Sequence, residues 1–318
     1  MIELRHDTLQ ISFPEVHPAA KLRITFMRTL RIPDNDREYP LPPGLGTFPL
    51  RHVDDFAAKV PEAWDTHGGV LLPMYQAEAM WLSFDADWVE DHDAEYPFAV
   101  KIAAGKVNAV TGASWSNALH RRPQDYLVSP TQPWLDGYCV ERGVIRQFVA
   151  MPLGQGFTAE EQLTGEAEHG GLQIVAYPMK RKIFEKRFPK VRRRRRERAM
   201  EAEMFTMEAL ACPSPDMGLA PGGKMRQEIY DDPYRLSDWD PDARSRCFVH
   251  LANSEAWRDI TGEAPPVTPV TAEAYMDAGL PWFEYYDEGA TAVEGGAPLK
   301  GLKSVAELGG DEVREGEF

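Results

Sequence analysis

Leu22, Ile24 and Phe26 alternate with Arg23, Thr25 and Met27 in the run 21–30. A period of two over six residues predicts a half-buried strand, with Met27 the one apolar residue on the polar side. Residues 9–13 form a shorter run of the same kind. From 68 to 152 such runs are dense, at 70–73, 80–84, 98–103, 107–111 and 126–129, each rich in β-branched or aromatic residues and bounded by turn residues. Gly105-Lys106 separates two of them and predicts a tight hairpin. Further strands are expected at 172–177 and 246–251. Hairpins in succession build an antiparallel sheet, not alternating βαβ units.

The clearest hairpin spans 134–152, with Gly143 supplying the positive φ of a three-residue loop. Placing Val140 opposite Val144 sorts its side chains onto two faces. Leu135, Cys139, Ile145, Val149 and Met151 share one face, on which Gln147 is the only polar member. Trp134, Asp136, Tyr138, Arg146 and Phe148 share the other, three aromatics beside an acid and a base at diagonal positions where long side chains meet. That second face is either a ligand surface or the wall of another layer.

Elsewhere the pattern changes. Residues 39–50 hold four prolines and two glycines, which predicts an extended strap without regular structure. Pro189 suits the first turn of a helix running to about residue 210, with Met200, Met204, Met207 and Ala211 as its apolar stripe. Ser254 and Thr271 are expected to cap two short helices, and 280–286 reads as a strand. The fold class that follows is α+β: a large, mainly antiparallel sheet, curled or two-layered, with one long charged helix and short C-terminal helices. The expected divisions are a β-rich domain over 1–179, a basic-then-acidic helix over 180–210, a mixed segment on the same core over 211–290, and an acidic, poorly ordered tail over 291–318.

Composition narrows the class. Apolar residues at 43% and charged residues at 27% of 318 suit a globular chain with a core that needs no staples. Cys139, Cys212 and Cys247 form no C-x-x-C pair, so neither a disulfide framework nor a zinc ribbon follows. With no apolar run long enough to span a bilayer and no signal-like N-terminus, a cytoplasmic protein is expected. The net charge of −15 is unevenly spread: residues 180–198 carry twelve Lys/Arg against Glu185 and Glu197, a balance of +10, and the rest of the chain stands at −25. Such segregation implies a partner for the basic piece, inside the molecule or outside it.

Several near-motifs bear on chemistry. Gly218-Leu-Ala-Pro-Gly-Gly-Lys224 has the spacing of a phosphate loop, but Met225 replaces the magnesium-holding hydroxyl, and a flexible loop is expected instead. Gly112-Ala-Ser-Trp-Ser116 approximates a nucleophile elbow at Ser114, with His67-Gly-Gly69 upstream and His250 downstream as base, oriented by Asp240 or Asp242. The antiparallel pattern argues against a doubly wound hydrolase. The acidic run 85–93 lacks the glycine and terminal glutamate of a calcium loop, and the eight dispersed histidines hold no H-x-x-x-H pair. No metal and no cofactor are expected.

Arg192, Arg193, Arg194, Arg195 and Arg196 point in every direction on a helix and lie toward its N-terminal half, against the macrodipole. Helix stability therefore does not explain them. The expectation is a non-catalytic binding or assembly protein, using the 134–148 face for a ligand and residues 180–198 for self-association or an acidic protein partner. A serine hydrolase centred on Ser114 and nucleic-acid binding through 180–198 are the alternatives.

Overall fold

The computed structural model describes residues 1–35, 37–191, 216–280, 282–283 and 290–309. Strands β1 (Ile2–Arg5), β2 (Thr8–Ser12) and β3 (Lys21–Thr29) form an antiparallel meander. In β3 the expected alternation is realised: Leu22, Ile24 and Phe26 are buried and Arg23, Thr25 and Met27 partly exposed. The remaining long strands are β4 (Val70–Pro73), β5 (Ala79–Ala86), β6 (Phe98–Ala104), β7 (Leu127–Ser129), β8 (Gly137–Glu141), β9 (Val144–Pro152), β10 (Leu172–Pro178), β11 (Asp216–Arg226) and β12 (Ser245–Ala252).

One half of the sheet runs β1-β2-β3-β5-β9-β11, and the other runs β4-β12-β10-β6-β7. The start of β11 joins them by pairing Asp216 with Ala252 and Met217 with Leu251. All these pairings are antiparallel except β4 with β12. Leu9, Ile11, Leu22, Ile24 and Phe26 from the first half meet Phe98, Val100, Ile102 and Ile174 from the second in one buried cluster. Each such side chain contributes about 1.5–3 kcal/mol relative to exposure. The sheet is thus folded over a shared core, and β6 and β10, buried along their whole length, read as continuous apolar runs.

Four expectations are corrected. Residues 218–224 are no flexible loop: they form the middle of β11, an eleven-residue strand. Its glycines are there for close approach, since a Cβ on Gly222 would lie 2.5 Å from Val149 and one on Gly223 2.6 Å from the Pro33 carbonyl. The strap at 39–50 is partly regular, because Gly44–Thr47 pairs with β3. Helix formation in the basic segment occurs before Pro189, in α1 (Arg181–Arg187), and Phe188 ends it; the long helix expected beyond lies outside the described residues. The tail also differs over its first part: Leu299, Leu302 and Val305 are buried, on or beside short helices at Ala297–Lys300 and Val305–Gly309.

Caps are local and legible. Thr271 accepts from Ala274 N as expected, whereas Asn253, not Ser254, caps the helix Ser254–Thr261 by accepting from Glu255 and Ala256. No helix among the described residues is long and apolar enough to cross a membrane.

Where the sheet lacks ladder partners, buried glutamines supply them. Gln147 accepts from Ile32 N at 3.0 Å and donates to Leu30 O at 2.8 Å, which accounts for the one polar residue on its face. Gln124 spans to Tyr230 O and Asp232 N, and Gln132 to Glu228 O and Tyr230 N. Each amide satisfies one backbone donor and one acceptor, as a strand would. These contacts fix residues 227–232 against 124–134 and so position the chain that follows, up to Trp239.

Candidate functional site

The 134–148 hairpin forms in nearly the expected register, with Gly137 opposite Gln147, Tyr138 opposite Arg146 and Cys139 opposite Ile145; a bulge then sets Glu141, not Val140, against Val144. Its five candidate residues do not make an open surface. Tyr138 and Phe148 are fully buried, their rings edge-to-face at 4.9 Å, and the tyrosine hydroxyl donates to Leu219 O at 2.9 Å. Arg146 donates to Gly222 O and pairs with Glu307, both at 3.3 Å. Asp136 is buried, donates its backbone N–H to Gln227 Oε1 at 3.0 Å and accepts from Gln227 Nε2 at 2.8 Å. Burial raises its carboxyl to about 7, with hydrogen bonds from Gln227 and Trp134 acting in the opposite sense. The cavity beside Trp134 holds about 10 Å³, room for no more than a water. This face is the wall of a layer.

Ser114, His250 and Asp240 stand in separate hydrogen-bond sets. Ser114 is exposed, bridged by its backbone to Val107. His250 lies in β12, stacked on Trp64 at 4.7 Å, with Nε2–H donating to Gly68 O at 3.0 Å; burial lowers its pKa to about 4 and keeps it neutral. Asp240 accepts from Asp242 N at 3.1 Å, which leaves neither acid on the histidine. In the acidic run, Arg23 holds Asp85 at 2.8 Å and also pairs with Asp87, and Lys190 holds Asp91 at 3.0 Å. No group of three or more His, Cys, Asp or Glu among the described residues could hold a metal ion.

Arg192 to Arg196 lie outside the described residues, but the root of their segment is well placed. Phe184 of α1 is buried against Tyr96, ring centroids 4.4 Å apart, and Arg187 pairs with Asp238 at 2.7 Å. The basic segment therefore starts from the core, anchored by an aromatic ring and two acid–base contacts.

Beside that root opens a cleft of about 500 Å³. Its walls come from the end of β10, from residues 117–119 and from residues 236–244. A short ladder ties the first and last together: Lys180 N donates to Asp238 O and Asp240 N to Pro178 O, both at 2.9 Å. That ladder sets Trp239 and Lys180 at the cleft. The Trp239 indole N–H donates to Asp232 Oδ2 at 3.0 Å, and the same carboxylate accepts Tyr126 Oη at 2.6 Å and Tyr234 N at 2.7 Å. On the opposite wall, the Tyr177 hydroxyl donates to Asn117 O. Buried Lys101 donates to Ala118 O at 2.7 Å and to Asp125 Oδ2 at 2.6 Å, fixing the loop from within. Asp125 also accepts the backbone N and Nδ1 of His120, each at 2.8 Å.

The lining is mostly apolar, with Leu119, Leu236, Trp239 and Pro241 prominent. Among the described residues, Lys180 and Arg244 are the full charges that line it. Both donate to carbonyls, Lys180 to Ser237 O at 3.0 Å and Arg244 to Pro241 O at 3.3 Å. Neither forms an ion pair among the described residues. Such an enclosure can hold an apolar body and neutralise one negative group. Sequence reasoning missed it because three distant segments build it and none shows periodicity; the one local signal was Trp239 in an acidic, proline-bounded turn.

Compared with protein-family models, with curated proteins and with solved structures, the chain matches none.

Proposed function

We propose that this is a non-catalytic binding protein whose cleft beside α1 holds a small ligand with an apolar body and one anionic group. The observation that carries the reading is the pair of cations with no carboxylate partner among the described residues, Lys180 and Arg244, at a 500 Å³ cleft that is otherwise largely apolar. A ligand anion would gain charge-assisted hydrogen bonds there, about twice as strong as neutral ones. Its apolar part would displace water from Trp239 and Leu119. The walls are held by buried hydrogen bonds to Asp232 and by partly buried ones from Lys101 to Ala118 O and from Tyr177 to Asn117 O, so little ordering accompanies binding. Lys180 also begins the basic segment, whose positive charge raises the local concentration of anions in a molecule that otherwise repels them.

The segment 180–198 has a docking role in the same reading. Its root already meets acids of the same chain, Lys190 on Asp91 and Arg187 on Asp238, which favours protein contacts over nucleic acid.

Calorimetric titration of decanoate against decanol tests the ligand assignment. Decanoate should bind at least about tenfold more tightly, and the double substitution Lys180→Gln/Arg244→Gln should erase that preference, since one lost charge-assisted contact amounts to about a factor of ten. Equal binding of acid and alcohol would remove the anionic group from the account. Binding unaffected by Ala118→Trp, which fills the cleft, would move the site elsewhere.

A further inference from the structure

A second cleft, of about 300 Å³, shares no lining residue with the first; Ile2 of β1, Val70 of β4, and Arg246 and Phe248 of β12 line it together with His67 and Asp54, and His52 also borders it. Its floor depends on the tripeptide His67-Gly68-Gly69. Gly69 has φ 96°, and a Cβ there would lie 2.3 Å from Phe248 O, so only glycine lets this turn rest on β12. His250 holds the turn from beneath through its bond to Gly68 O. The His67 ring packs on Phe248, centroids 4.8 Å apart. Gly68 N donates to Trp64 O at 2.8 Å, so that N–H is not offered to a ligand.

Two opposite charges border the cleft. The Arg246 guanidinium lies over the Phe248 ring at 4.8 Å, and Asp54 sits in the short 3-10 helix Val53–Phe56. Both are exposed, and neither has an ion-pair partner within 4.0 Å among the described residues, including each other. A simple anion here would satisfy Arg246 and be repelled by Asp54; a simple cation would do the reverse. A ligand carrying both charges close together satisfies both.

We propose that this cleft binds a free apolar α-amino acid, its carboxylate on Arg246, its ammonium on Asp54 and its side chain against Ile2, Val70 and Phe248. The volume is at the small end of the range for ligand sites, as an amino acid requires. His250 is a positioning residue: it acts through the Gly68 carbonyl and through its stack on Phe248, ring centroids 6.3 Å apart.

Titration calorimetry on the full chain with L-leucine, N-acetyl-L-leucine and L-leucinamide tests this. Leucine should bind, and each analogue, lacking one charge, should bind at least about tenfold more weakly. In Arg246→Gln, leucine should fall to the level of leucinamide; in Asp54→Asn, to that of N-acetyl-leucine. Both positions are exposed, so both variants should melt at the wild-type temperature. Lys180→Gln/Arg244→Gln should leave leucine binding unchanged, which separates this site from the first cleft. Analogues that bind as well as leucine, or no binding at about 10 mM, where a millimolar site would be mostly filled, would overturn the assignment.

Discussion

The indole N–H of Trp239 and the hydroxyl of Tyr126 both donate to one oxygen of Asp232, at 3.0 and 2.6 Å. Asp232 is buried, and its one cation among the described residues, Arg121, stands 3.4 Å away and is partly exposed. The carboxylate is therefore satisfied mainly by neutral donors, and one of them is the wall of the larger cleft. The larger cleft and the core share a single hydrogen-bond hub.

That hub predicts unequal costs. Asp232→Ala leaves Tyr126 Oη, Trp239 Nε1 and Tyr234 N without an acceptor and should destabilise the fold by about 3 kcal/mol. Trp239→Phe keeps most of the ring and removes one donor, costing about 1 kcal/mol. Urea unfolding measures both; similar values for the two would mean the hub does not hold the wall.

Asp136 gives a pH dependence of known sign. Its folded pKa, raised by burial to about 7 from 3.8, favours the protonated form in the folded state. Stability from this group is thus complete below pH 4, falls as pH rises through 7 and stays low above it. Asp136→Asn keeps an oxygen for Gln227 and should gain stability at pH 8 relative to wild type, by an amount on the order of 2–4 kcal/mol, with the gain vanishing near pH 4. A gain independent of pH would show that Asp136 is not ionised by this route.

Much of the sheet was legible because alternation records burial directly: Leu22, Ile24 and Phe26 in β3, and the Tyr138–Arg146 register, were recoverable from the residues alone. The misreadings share a cause. In β11, Pro221 and the two glycines carry loop propensity, yet the contacts of Val149 and Pro33 with Gly222 and Gly223 make glycine a packing requirement. The aromatic face at 134–148 had ligand-site composition, but what covers it comes from distant chain, such as Leu219 and Gln227. The larger cleft left almost no local trace, since Lys101, Asp232 and Trp239 are brought together only by tertiary contacts.

Cysteine reactivity should be low. Burial pushes the Cys139 and Cys247 thiols up to about 12, so neither offers appreciable thiolate near neutrality. A colorimetric thiol reagent should leave both unmodified until denaturant is added. Mass mapping that finds prompt modification at Cys139 would contradict the hairpin register.

The root of the basic segment separates burial from charge. Phe184→Ala should cost about 3–5 kcal/mol and expose Lys186 and Arg187 to trypsin. Lys190→Gln removes a pair whose side chains are 69% and 71% exposed and should cost less than about 1 kcal/mol. Salt should mimic the second change and not the first. Copurification of nucleic acid with an affinity falling steeply in salt would instead assign residues 180–198 to nucleic-acid binding.

The proposed function places an anionic, apolar ligand in the cleft of Trp239, Lys180 and Arg244. Titrating ¹⁵N-labelled protein with decanoate, while following the Trp239 indole N–H and the backbone amides of Asn117 and Leu119, reads that occupancy at the residues concerned. Saturable shifts should appear at those three positions, with the midpoint at least about tenfold higher for decanol than for decanoate, and with decanoate losing that advantage in Lys180→Gln/Arg244→Gln. Shifts confined to other parts of the molecule, or the same midpoint for decanol as for decanoate, would overturn the assignment.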